Sequence, residues 1–149
     1  MSERPIFVNG DIATQILTLV DKIAQESSNP MPVEFGELTA DPGRLPRLMI
    51  APLKADETPQ RYISGESIVP FPFALYLRQS VMDVQERLDA HAYLTEVTEA
   101  FLPECQVLNG YVAYRKPRAS MPVELGATDA FEDWQVTVQL MYKQTKSKG

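Results

Sequence analysis

Apolar residues fall at helical spacing over residues 11–26. Ile12, Ile16, Leu19, Val20 and Ile23 stand at i, i+4, i+7, i+8 and i+11 and line one face. The spacing predicts a helix, with Asp11 as its N-cap and the run Ser27–Pro32 as its stop, because proline cannot continue the hydrogen-bond ladder. Residues 33–46 are turn-rich, with Asp41-Pro42-Gly43 as the strongest breaker. Arg47–Leu53 is a short apolar run that predicts a strand, demoted at its end by Pro52, and Lys54–Gln60 is a loop.

The stretch 61–78 alternates in its second half. Phe71, Phe73, Leu75 and Leu77 share one face, and Ala74 and Tyr76 the other. Pro70 and Pro72 have no ladder donor, so the strand faces an edge or bulges there, and Gly65 and Pro70 are points at which it can divide into two pieces. Ser80, with Asp83 three residues on, marks a second helix start. Val84 and Leu88 begin its apolar face, Leu94, Val97 and Phe101 continue it after a sideways shift near His91, and Pro103 stops it. Two strands follow, Gln106–Tyr114, with a bulge or tight turn at Asn109-Gly110, and Phe131–Tyr142. In the latter Trp134, Val136, Val138, Leu140 and Tyr142 point one way and Gln135, Thr137 and Gln139 the other. Arg115–Ala130, with Pro117, Pro122 and Gly126, is a long loop.

The order is therefore α-β-β-α-β-β. Two helices packed on one face of a mostly antiparallel sheet make an α+β sandwich. At 149 residues the expectation is one domain spanning residues 1–149, with flexible ends at 1–10 and 143–149. The 12 prolines favour stiff loops over a helical bundle.

A net charge of −6 argues against a general phosphate-binding surface, because such affinity rests on Lys and Arg neutralising phosphates. Local basic groups remain at Arg115, Lys116 and Arg118 and in the tail at Lys143, Lys146 and Lys148, where solvated faces and frayed ends are the ordinary explanation. The single cysteine, Cys105, excludes a disulfide within the chain and a cysteine-based zinc site, and reads as a small buried residue. No segment approaches a signal peptide or a membrane span, so the expectation is a soluble protein made in a cytoplasm.

Chemistry-bearing patterns are missing. His91 is the one histidine and has no nucleophile beside it in sequence. Glu96 with Glu99, and Glu132 with Asp133, are spaced as ordinary surface charge. Neither phosphate-cradling glycine motif occurs. The strand aromatics are core residues before they are a stacking platform. The expectation is a non-enzyme with no cofactor and no metal.

One resemblance adds to this. Gly65, Pro72-Phe73, Tyr76 and Arg78, followed by Asp83, Arg87, Leu88 and Asp89, resemble the central segment of the tail-terminator type of minor tail protein from long-tailed phages. Phe131–Lys143, FEDWQVTVQLMYK, looks like that family's closing strand. The likeness covers residues 61–102 and 131–143, and the N-terminal half departs from the pattern. It implies the same class of fold and a structural virion protein at the head-proximal end of the tail, made in the host cytoplasm. It also implies a hexameric ring that caps the tail tube, ends its polymerisation and offers a surface to the head. The implied partners are further copies of the chain, the major tail tube protein and head-neck connector proteins, without specific nucleic-acid binding and without a membrane.

Alternatives are a head-tail joining (neck or stopper) protein and a protein-binding module with no virion role. The interface candidates are Asp56, Glu57, Arg61, Tyr62, Arg115, Lys116 and Arg118, on or beside the loops at 54–61 and 115–130. Loop acids such as Asp56, Glu57, Glu124 and Asp129 would either give a ring a negative bore through which DNA slides or serve only to keep the monomer soluble.

Overall fold

A computed structural model describes residues 10–36, 45–54, 60–61, 67–80, 83–128 and 131–144. Two helices, α1 (Gly10–Glu26) and α2 (Val84–Glu104), accompany two sheets. The first contains β1 (Val33–Phe35), β2 (Arg47–Pro52), β5 (Phe73–Ser80), β10 (Phe131–Gln139) and β8 (Arg118–Ala119) in that spatial order, with β9 (Val123–Ala127) also paired to β10. The second runs β3 (Gln60–Arg61), β4 (Ser67–Pro70), β11 (Met141–Gln144), β7 (Tyr111–Ala113) and β6 (Val107–Leu108). Only β1 and β2 pair in parallel among the described strands. The class is α+β with a largely antiparallel sheet, as the hydrophobic pattern implied.

Register explains why the core forms where it does. Leu48, Leu77 and Trp134 lie in one row across β2, β5 and β10, and Ile50, Leu75 and Val136 in the next. Ile12, Ile16 and Val20 of α1 and Leu94, Val97 and Phe101 of α2 join them in one buried cluster. Phe101 meets Phe73 edge-on, with ring centroids 5.6 Å apart, the geometry that ring quadrupoles favour. The helices touch each other, α1 reaching β1 and α2 reaching β10 and β8. At their contact Ser28 donates from its backbone N and its Oγ to the Glu96 carboxylate, at 3.0 and 2.6 Å. Glu96 thus ties α2 to the segment that follows α1 and is not idle surface charge.

Several elements differ from the sequence expectation for identifiable reasons. Helix α2 is capped by Asp83 and not Ser80: the Asp83 carboxylate accepts from Glu86 N, and Glu86 accepts from Asp83 N, a complete capping box. Its first turn therefore faces outward, leaving Val84 and Leu88 exposed, and the buried stripe starts at Ala90. Pro103 stands inside the last turn, and the helix ends one residue later. Helix α1 includes Gly10, so Asp11 lies in its first turn and is not the cap. The turn-rich stretch holds β1, and the stretch 106–114 is a hairpin whose tight turn uses Gly110 at φ 89°.

The expected strand at 61–78 becomes β3, β4 and β5. Strand β4 pairs with β11 in one sheet, while β5 pairs with β10 in the other. The crossing points are Phe71-Pro72 and Leu140, bridged by Phe71 N donating to Leu140 O at 2.9 Å. The prolines therefore mark a change of sheet. The alternation expected through Leu140 and Tyr142 breaks for the same reason, and Met141 and Tyr142 are both buried.

Candidate assembly surface

At the change of sheet the backbone bends, and a cleft of about 560 Å³ opens beside it. Lys54, two residues beyond β2, Arg115 and Lys116, between β7 and β8, and Arg118, the first residue of β8, all line it. No carboxylate stands among the described residues of its lining. Lys54, Lys116 and Arg118 have no ion-pair partner among the described residues. The remaining wall is Gln139 with the apolar Leu53, Pro70, Pro72, Leu140 and Met141. A cationic, partly apolar concavity in a chain of net charge −6 is a local exception to the overall charge.

The segment following Arg118 forms the outer edge of the first sheet. Ala119 pairs with Val138, and Val123–Ala127 pairs with Gln135–Glu132, with a register shift between Asp133 and Trp134. All five residues of β9 are exposed. Met121, Val123 and Leu125 are 71%, 50% and 52% exposed, so apolar side chains project from a strand whose second edge has no pairing partner among the described residues.

Next to this edge, β10 carries two ion pairs on opposite faces. Glu132 points inward, is 0% exposed, and accepts from Arg87 Nε and one terminal guanidinium nitrogen at 3.0 and 2.8 Å. Asp133 points outward and accepts from Arg78 Nε and its terminal nitrogen at 2.8 and 2.9 Å. The Arg78 guanidinium also lies 3.8 Å from the centre of the Phe131 ring, a cation-π contact. The hydrogen bonds to Asp133 raise the affinity of Arg78 for its proton against an opposing effect of burial, and those to Glu132 do the same for Arg87. Glu132 and Asp133 are thus structural clamps and not surface charge as their spacing suggested.

The buried polar groups at the far end of α2 serve the fold. Tyr142 Oη donates to Cys105 O at 2.8 Å, which ties the helix end to β11. Burial raises the pKa of both groups, pushing the Cys105 thiol up to about 11. Cys105 is fully buried and is not a nucleophile at neutral pH. His91 meets Trp134 edge-on at 6.1 Å, as a packed residue at the border of the core.

Of the interface candidates, Arg115, Lys116 and Arg118 come together in the cleft, joined by Lys54, which sequence spacing gave no reason to add. Arg61 lies on β3, at the edge of the second sheet. Asp56, Glu57 and Tyr62 lie outside the described residues, as does Asp129, whereas Glu124 sits on strand β9 and not in a loop. The strand at 123–127 was masked in sequence by Pro122 and Gly126. Its signal was the apolar-polar alternation of Met121, Val123 and Leu125.

No family model and no curated protein matches the chain. Among the solved structures it resembles is one that carries a sequence identifier in place of a functional name. At 13% identity it covers 97% of this chain and 100% of its own, with a TM-score of 0.60. The likeness is one of fold.

Proposed function

We propose that this chain is a structural virion protein: a tail terminator that closes into a hexameric ring on the tail tube, ends tube growth and presents a surface for the head. Its partners are further copies of itself, the tail tube protein and the head-neck connectors, and its place is the head-proximal end of the tail. The resemblance carried by Gly65, Pro72-Phe73, Tyr76 and Arg78, by the α2 residues Arg87 and Leu88, and by the closing strand Phe131–Lys143 motivates the reading.

The observation that carries it is β9. This edge strand is exposed at every position and, although Pro122 and Glu124 flank or interrupt it, Val123 and Leu125 project from it with Met121 just before it. Such an edge suits assembly. The work it does needs no covalent step. A tube subunit offers the same head-to-tail surface again and again, and such contacts do not close by themselves. A terminator matches the last tube ring on one face and lacks on its other face the surface that accepts a further ring.

Sedimentation over a concentration series, with and without tubes, tests the reading. Self-association or capture by tube ends is expected, and a monomer that ignores tube ends at every concentration opposes it.

A further inference from the structure

We infer that the cationic cleft at the change of sheet receives the exposed edge strand of a neighbouring copy, with Glu124 as the charge that the cleft recognises. The inference rests on the ring reading and adds to it the two surfaces that meet.

The argument is one of complementarity. The cleft holds Lys54, Lys116 and Arg118, none with an ion-pair partner among the described residues, beside apolar side chains such as Leu140 and Met141. The sequence Met121-Pro122-Val123-Glu124-Leu125 offers the reverse: exposed apolar side chains on either side of an exposed carboxylate. Glu124 contributes to the field at Arg87 but forms no ion pair with it or with any other described residue. A carboxylate entering the cleft gains cations already gathered there.

The occupant is a chain and not a duplex. A concavity of about 560 Å³ is of the size that accepts an extended segment or a small ligand. Double-helical DNA presents a broad convex surface, and the overall charge of −6 repels it. An extended strand whose outer edge has no pairing partner among the described residues also brings backbone groups that seek hydrogen bonds.

The two surfaces are distinct. Arg118 stands opposite Gln139 and Val123 opposite Gln135, which sets them about 13 Å apart along β10. One copy can therefore give its strand to one neighbour while its cleft holds the strand of another. That is the heterologous contact a ring requires.

The test titrates a capped peptide of residues 120–127 into the isotope-labelled full chain and follows backbone amides by NMR. Shifts centred on Lys116, Arg118, Leu140 and Met141 are expected, with about tenfold weaker binding for the peptide carrying Glu124→Lys. The Glu124→Lys peptide should regain affinity for the Arg118→Glu protein, which a merely sticky apolar peptide would not do. Absence of cleft shifts at saturating peptide overturns the inference. So does a short DNA duplex that shifts the cleft amides, with affinity falling steeply as salt rises, where the peptide does not. Failure of the ring reading looks different. Peptide binding with charge-swap recovery but no ring on tubes keeps this contact and removes the ring. Rings that still form on tubes with Glu124→Lys protein keep the ring and remove this contact.

Discussion

Arg87, in the first turn of α2, reaches down to Glu132 on the inner face of β10 and donates two hydrogen bonds to a carboxylate with no solvent exposure. Arg87 itself is 43% exposed, so the pair is buried from one side only. The capping box at Asp83 fixes where that first turn begins, and thereby which residue stands over Glu132.

Removing Arg87 takes a two-hydrogen-bond cation from a carboxylate with no solvent exposure, which is more damaging than never having had the pair. Arg87→Ala is expected to lower the urea midpoint more than Arg78→Ala does, because Asp133 retains some access to water and Glu132 has none. The sign of the pH dependence follows. The Arg87 pair exists only while the Glu132 carboxylate is charged. The variant's deficit should therefore shrink below the ordinary carboxylate range and grow as pH rises through it. Equal deficits for the two variants at every pH would contradict this.

Cys105 gives a prediction at alkaline pH. Burial moves its thiol from 9.0 in the ordinary case to about 11 in the fold. The folded chain then binds more protons than the unfolded chain between those values, so stability is complete below about pH 9 and falls as pH rises toward 11. Tyr142, also raised by burial, adds to the loss once its ordinary value of 10.0 is passed. Denaturation midpoints from pH 8 upward should show this fall, and Cys105→Ala should make the slope between pH 9 and 11 shallower. In the native protein at neutral pH, iodoacetamide should label Cys105 only after denaturant is added.

Phe73 and Trp134 differ in how deeply they serve the core. Phe73 is almost fully buried and packs edge-on with Phe101, so Phe73→Ala should cost about 3–5 kcal/mol in chemical denaturation. Trp134 is partly buried, with its ring against His91, and its truncation should cost less. A Trp134→Ala loss as large as that of Phe73→Ala would place more of the core beneath α2 than the packing indicates.

Helix α1 and strand β5 were legible because their apolar periods are uninterrupted, Ile12 to Ile23 at 3.6 and Phe73 to Leu77 at 2, whereas the broken stripe of α2 misplaced its first turn. What stayed hidden involved features that local patterning cannot carry. The change of sheet at Phe71-Pro72 depends on which partner each half-strand finds, and only the pairing of β4 with β11 and of β5 with β10 reveals it. Glu132 looked like surface charge because its partner lies 45 residues away. Arg115, Lys116 and Arg118 were visible as a cluster, but Lys54 joins them only through the fold. Strand β9 was concealed by the proline and glycine in and beside it, although its alternation was present.

The most direct measurement of the proposed role is negative-stain microscopy of phage tail tubes, with and without the protein. The account predicts a closed ring at one end of each tube and tube lengths that stop increasing once the protein is added. Tubes that keep elongating, with no ring at either end, would contradict it.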